Sequence, residues 1–278
     1  MPQTNNTKVA IIGAGNVGAS IAFAMALQQN ASEIVLIDER KEKAIGEALD
    51  INHGLCFLGQ MAVYAGDYSD ISSCDVIIVT AGMGRKPGET RLDLARKNLA
   101  IAKEITKNIM KYYTNGVILV VSNPVDILTY KIQKWSGLPN GRVFGSGTVL
   151  DSARFRFSLA EKFNVDVRNV HGYIVGEHGD TQLPLWSATH IAGMNVEEYG
   201  KTHGNTFSDQ DKELISNDVK QAGAVIINNK GATYYAIAVA VNTLVETLIK
   251  NQNTIRTVSS VIEGYYGIND VAISLPSL

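Results

Sequence analysis

Residues 8–30, KVAIIGAGNVGASIAFAMALQQN, decide how the rest of the chain is read. The β-branched run KVAIIG (8–13) reads as a strand covered on both faces, and VGASIAFAMALQQN reads as a helix with apolar residues at helical spacing. Between them stand Gly13, Gly15 and Gly18, in a Gly-x-Gly-x-x-Gly arrangement that ends the strand and opens the helix. The first glycine permits a tight turn, the second lets the backbone approach a pyrophosphate, and the third allows close helix–strand packing. An anion is favoured there because the first helical N–H groups lack partners and the helix dipole is positive at that end. The next apolar run, EIVLID (33–38), ends in Asp38, twenty residues after Gly18. A carboxylate at that place accepts hydrogen bonds from the adenosine ribose and repels a 2′-phosphate, so NAD is expected rather than NADP.

Working outward, AVYAG (62–66), DVIIVTAG (75–82) and GVILVVSN (116–123) read as further strands, with helical stretches such as RLDLARKNLAIAKEITKNIMKYY between them. Strand–helix alternation implies an α/β fold with a parallel, doubly wound sheet. After about residue 145 the pattern changes. A helix is expected over 150–163, then a short strand containing Gly and His in VHGYIVGEHGD, more helices, and the strand-like TIRTVSSVI and DVAISLP. The expected organisation is a dinucleotide-binding Rossmann domain over 1–145 and an α+β substrate domain over 146–278.

The 278 residues suffice for a substantial core, and 45% apolar with 19% charged residues is the composition of a folded globular chain. A net charge of −2 gives no electrostatic reason to expect nucleic acid or an anionic membrane as partner. Cys56 and Cys74 form no CxxC pair and no metal-ligand cluster, so reduced thiols in a cytoplasmic protein are expected and no metal. The polar start MPQTNNTK does not read as a signal peptide. YYAIAVAVNTLVETLI is interrupted by Asn242, Thr243 and Glu246 and falls short of the ~20 apolar residues of a membrane span. It reads as a buried helix.

Polar residues also stand where a core has no use for them. TAGMGRKPGETRLDL, from Thr80, places Arg85 and Arg91 on a Gly- and Pro-rich segment after a strand. VSNPVDI puts Asn123 at the carboxyl edge of the sheet, where open α/β folds bind ligands. LDSARFR sets Asp151 and Arg154 three apart on one helical face, and GEHGD holds His178 between flexible glycines. Singly, each has a plain structural explanation: a loop histidine, or an aspartate favoured by a helix dipole. Together they point to a site.

These segments, with KGATYYAI (230–237), closely resemble the lactate/malate dehydrogenase family over essentially the whole chain, bacterial lactate dehydrogenases being the nearest branch. The resemblance implies NAD-dependent reduction of a small 2-oxo acid to a 2-hydroxy acid. It implies a catalytic set of His178, Asp151 and Arg91. His178 is the proton donor, since imidazole titrates near neutral pH, and Asp151 fixes its tautomer and stabilises the imidazolium. Arg91 polarises the carbonyl as negative charge develops. Arg154 grips the substrate carboxylate with its planar fork, Asn123 bonds the reacting oxygen, and Thr233 lines the substrate pocket. Val17, Lys43, Tyr68, Gly82 and Ile237 join Gly13, Gly15, Gly18, Asp38 and Asn123 as implied cofactor contacts.

Arg85 falls at the position that faces the substrate's variable end, where lactate dehydrogenases usually carry glutamine and malate dehydrogenases arginine. A guanidinium facing pyruvate's methyl group in a water-poor site is desolvated and unpaired, whereas oxaloacetate brings it a second carboxylate. The expected substrate pair is therefore malate/oxaloacetate. Thr233 and SGTVLDSARFR are lactate-dehydrogenase-like, which makes lactate/pyruvate the alternative. Arg156 and His171 match positions where allosteric relatives bind fructose 1,6-bisphosphate, implying a homodimer or homotetramer. Family members also continue past VAISLPSL through another strand and a long helix. Two rival readings stand: an NAD-dependent glycosidase, which needs a metal cluster the sequence does not offer, and a catalytically silent NAD-binding protein.

Overall fold

The computed structural model describes residues 7–84, 90–204 and 207–278. In chain order, β1 (Lys8–Ile12), α1 (Asn16–Gln28), β2 (Glu33–Ile37), α2 (Lys41–Gly54), β3 (Ala62–Ala65), β4 (Val76–Val79), α3 (Arg91–Tyr112), β5 (Val117–Val120), α4 (Val125–Ser136) and β6 (Val143–Gly145) alternate strand and helix. There follow α5 (Val149–Phe163), the two-residue strands β7 (Val170–His171), β8 (Ile174–Val175), β9 (Leu183–Pro184), β10 (His190–Ile191) and β11 (Met194–Asn195), then α6 (Val196–Thr202), α7 (Asp209–Lys230) and α8 (Tyr235–Ile249). The strands β12 (Arg256–Glu263) and β13 (Asn269–Ser277) come last. Contacts divide the chain into two units: 1–146 with 234–254 and 259–272, and 147–233 with 255–258 and 273–278.

The first unit is built on a sheet ordered β13-β12-β6-β5-β4-β1-β2-β3. From β3 to β6 the pairings are parallel, as the apolar runs lead one to expect. Such strands need apolar side chains on both faces, and Val76–Val79 of β4 are buried throughout. Each fully buried isoleucine or leucine, Ile11, Ile77 and Leu119 among them, contributes about 1.5–3 kcal/mol. Strand order reverses between β1 and β4, the switch point at which doubly wound sheets bind ligands. Beyond β6 the sheet departs from the parallel expectation: β12 pairs antiparallel with β6 through Ser259 and Gly145. The cause is that part of TIRTVSSVI, read as second-lobe sequence, extends the first sheet.

Helix α8 likewise lies in the stretch assigned to the second lobe, yet it packs on α1 within the first unit. A buried amide network joins them. The Asn242 side chain, fully buried, donates to Gln28 Oε1 at 2.8 Å and accepts from Asn30 Nδ2 at 3.2 Å. Cys74 is buried and its thiol is pushed up to about 12 by that burial, which leaves it inert; Cys56 is exposed.

At the amino edge of the sheet a charged cluster has a measurable consequence. Lys8 Nζ lies 2.8 Å from Glu33 Oε1 and 3.6 Å from Asp70, and the Tyr64 hydroxyl donates to both carboxylates at 2.7 and 3.1 Å. Burial pulls the Lys8 ammonium down, but hydrogen bonds with Glu33 and Tyr64 outweigh it and hold it above its ordinary value. Burial pushes the Tyr64 phenol up to about 12. The Lys8 and Tyr64 bonds hold the Glu33 carboxyl below the 4.5 it has when free. Glu33 therefore stabilises the fold above pH 4.5, and that contribution is lost as pH falls through its lower folded value. Glu33→Gln is expected to show a shallower fall of Tm on acidification below pH 4.5 than the unmodified chain. Identical slopes in thermal melts would contradict this.

In the second unit α5, α6 and α7 pack with the strand sets β11-β10-β7 and β8-β9. Its core joins Phe155, Leu159, Phe163, Ile174, Ile191 and Val219, with Phe155 edge-on to Trp186 at 4.9 Å. The single strand expected in VHGYIVGEHGD is instead two, β7 and β8. Gly172 lies between them, where a Cβ would stand 2.8 Å from the Phe155 ring. Gly176, with φ +90°, then turns the chain toward His178. Among the described residues no helix is long and apolar enough to cross a membrane.

Candidate active site

At the switch point the glycine turn has the geometry its sequence demands. Gly13 has φ +105°, and a Cβ there would lie 2.6 Å from the Ala81 backbone nitrogen. A Cβ on Gly18 would overlap the Gly13 carbonyl oxygen. In front of Gly15, by contrast, an added Cβ meets nothing within 4 Å. The first turn of α1 has no acidic residue and no side-chain cap. Open space before unclaimed helix N–H groups is what a pyrophosphate requires, so the turn fits a dinucleotide. Asp38 accepts from Ala14 N at 2.7 Å and Arg40 N at 2.9 Å, so it also braces the turn. Thr80, after β4, latches the other side by donating to Gly13 O at 2.7 Å.

The remaining cofactor candidates lie on the same unit. Val17 is half-buried in the first turn of α1, Lys43 is half-buried on α2, and Ile237 is half-buried on α8. Tyr68 packs on the core, and its phenol is pushed up to about 12 by burial and then by Glu104. Gly82 is exposed after β4, and Asn123 is exposed after β5. The Asn123 Oδ1 accepts from Val125 N at 3.2 Å at the start of α4, which turns its amide NH₂ toward any other partner. Arg85 and the side chain of Arg91 lie outside the described residues; the backbone of Arg91 opens α3.

The second unit brings together His178, Asp151 and Arg154. Asp151, 2% exposed in the first turn of α5, has its Oδ2 2.6 Å from His178 Nδ1. Its Oδ1 accepts from Arg154 Nη1 at 3.1 Å. A buried carboxylate needs both oxygens engaged, and here an imidazole and a guanidinium share it. Helical spacing supplies one contact. The other spans 27 residues and depends on how β8 is held. Thr148 Oγ1 donates to Ile174 O at 2.5 Å, and Ser152 Oγ accepts from Ile174 N at 2.9 Å. Thr148 stands just before α5 and Ser152 in its first turn, on either side of Asp151, so the strand leading to His178 is fixed against them. Gly176 is also bonded both ways to Ser274.

Thr148, Ser152 and Asn98 were not singled out in the sequence. Their signal is polar side chains on the inward positions of helices, visible only once the inward face is known. Thr233 lies half-buried just ahead of α8. Arg156 turns onto backbone carbonyls, Nε to Val170 O at 2.6 Å and Nη2 to Val167 O at 3.4 Å. Burial, then the like charge of Arg256, holds its guanidinium below its ordinary value. His171 is exposed on β7, opposite His190 of β10. Among the described residues no group of three or more His, Cys, Asp or Glu is placed to hold a metal.

A glycine turn open to a pyrophosphate marks a dinucleotide-binding protein, and an imidazole backed by a buried carboxylate has the chemistry of a general acid or base. Comparison with known proteins narrows that class. The family described as lactate/malate dehydrogenase, NAD binding domain, matches residues 7–145, and its alpha/beta C-terminal domain matches 148–278. An L-lactate dehydrogenase of Thermoanaerobacterium saccharolyticum is 53% identical over 272 residues, 98% of this chain and 88% of that protein. One from Clostridium perfringens is 49% identical over 278 residues, 100% of this chain and 88% of its own. Among solved structures, the L-lactate dehydrogenase from Clostridium thermocellum is 69% identical with a TM-score of 0.86, covering 98% of this chain and 86% of that one. A ligand-bound minor L-lactate dehydrogenase from Enterococcus mundtii is 42% identical with a TM-score of 0.95, covering 99% and 88%. The chain belongs to the lactate/malate dehydrogenase family, and NAD is its cofactor.

Proposed function

We propose that the chain is an L-lactate dehydrogenase, reducing pyruvate with NADH and oxidising L-lactate in reverse. The Asp151–His178 pair carries the dehydrogenase part of the reading, and relatives of that name at 49%, 53% and 69% identity support lactate as the substrate. Arg154 has one N–H on Asp151 and offers a parallel pair of others to the substrate carboxylate. When bound, the reduced nicotinamide supplies a hydride for the carbonyl carbon. His178 gives the carbonyl oxygen its proton, and Asp151 offsets the imidazolium charge beforehand. Asn123 and Arg91 donate to the same oxygen as charge builds on it.

Arg85 favours a second reading, malate/oxaloacetate, because a guanidinium is better satisfied by a second carboxylate than by a methyl group. The names of the relatives favour lactate over it. Steady-state kcat/KM for pyruvate and oxaloacetate separates the two. Preference for pyruvate supports the proposal, and preference for oxaloacetate replaces it with malate dehydrogenase. In either case Arg85→Gln is expected to raise the pyruvate-to-oxaloacetate ratio by about tenfold or more, since it removes the charge that discriminates. An unchanged ratio removes Arg85 from substrate selection.

The proposal extends to assembly and control. Exposed apolar pairs one turn apart, Phe23 with Leu27 on α1 and Ile45 with Leu49 on α2, suit burial in a homodimer or homotetramer. Arg156, which carries the like charge of Arg256 nearby and donates to Val170 O beside His171, suits a phosphate of fructose 1,6-bisphosphate, which would relieve the repulsion.

A further inference from the structure

We propose that Asn98 is a positioning residue for this reaction, holding the two strand-end segments that carry Gly82 and Asn123 at a fixed separation. This rests on the functional reading above, in which Gly82 and Asn123 contact the cofactor and Asn123 also bonds the reacting oxygen of the substrate. Asn98 lies seven residues after Arg91 on α3 and is 3% exposed. A buried amide is costly unless its polar atoms are engaged. Its Oδ1 accepts from Met83 N at 2.8 Å, and its Nδ2 donates to Met83 O at 3.2 Å and to Asn123 O at 2.7 Å.

The sheet itself does not reach these groups. The last bonds between the chain ends of β4 and β5 are Val121 N and Ser122 N to Val79 O, with Ser122 Oγ donating to Ala81 O at 2.7 Å. Past that point one side chain takes over from the ladder and bridges Met83 to Asn123. It comes from the helix whose first residue is Arg91. The start of that helix is fixed by a reciprocal cap, in which Thr90 Oγ1 accepts from Asp93 N at 3.1 Å and Asp93 Oδ2 from Thr90 N at 3.3 Å. Asn98 thus references three implied reaction positions to one rigid element: Gly82, Asn123 and the backbone of Arg91. It touches neither substrate nor cofactor in this assignment.

The test compares Asn98→Ala and Asn98→Ser with Asn242→Ala, which removes a buried amide from the α1–α8 network of the same unit. Tm, kcat, pyruvate KM and the Kd for ADP-ribose are measured for each. Asn98→Ala is expected to lower kcat about 10- to 100-fold, the effect of displacing reacting groups by about 1 Å, with KM and ADP-ribose Kd within about threefold. Asn242→Ala is expected to lose Tm while keeping kcat. If Asn98→Ala does not fold, Asn98→Ser, which opens less space, is read the same way. Full kcat in the folded Asn98 variant, or an equal kcat loss in Asn242→Ala at matched Tm, overturns the assignment. An unmodified chain that binds ADP-ribose but leaves NADH unreacted with both pyruvate and oxaloacetate overturns the functional reading first, and the positioning role with it.

Discussion

His178→Asn is expected to lower kcat/KM for pyruvate reduction by about three to four orders of magnitude while leaving NADH affinity within a few-fold. Asparagine keeps the polar bulk of the side chain but has no proton to give at neutral pH. Hydride arrival at the carbonyl carbon then leaves an alkoxide that only water can protonate. Asp151→Asn tests the other half of the pair. The 2.6 Å contact with Nδ1 orients the ring and compensates its positive charge, and a neutral amide does the second poorly. Its loss is expected to be about as large. Stopped-flow binding of NADH beside steady-state rates separates chemistry from cofactor affinity. A loss below about tenfold in His178→Asn, at saturating NADH, would remove the imidazole from the proton-transfer role.

Arg154→Gln is expected to act on KM instead, raising it for pyruvate by about two to three orders of magnitude, the scale of stranding one partner of a charge pair. Two physical effects accompany the change. In the role proposed for Arg154, the substrate carboxylate loses the planar fork that would fix its direction, so the reactive carbon is less well aimed. Asp151 Oδ1 loses the donor it has at 3.1 Å, which leaves half of a buried carboxylate uncompensated and lowers Tm. Arg154→Lys restores charge without the fork and is expected to fall between the two. A lysine variant equal to the unmodified chain in KM would show that charge alone suffices.

What the sequence makes legible follows from how tightly local physics constrains residue identity. Gly13 and Gly18 are readable because a positive φ and a close backbone approach exclude other residues, so the glycine pattern is itself the geometry. The inner strands are readable because burial on both faces leaves continuous apolar runs. The pairing of Asp151 with His178 is different. Twenty-seven residues separate them, and only the resemblance to a family joined them before the fold did. Asn98, Thr148 and Ser152 stayed hidden because a polar residue on an amphipathic helix looks solvent-facing until its inward bonds are known. The antiparallel β12 and the docking of α8 on α1 were also missed. Both depend on partners more than a hundred residues away, and neither leaves a periodic trace. Strands of two residues, β7 and β8, are too short to show alternation at all.

The most direct test of the account is the fate of NADH when the purified chain is mixed with pyruvate, followed by its absorbance and by chiral analysis of the product. NADH consumption matched one-to-one by L-lactate is expected, slowed by about three to four orders of magnitude in His178→Asn. Bound NADH that stays reduced in the presence of both pyruvate and oxaloacetate would contradict it.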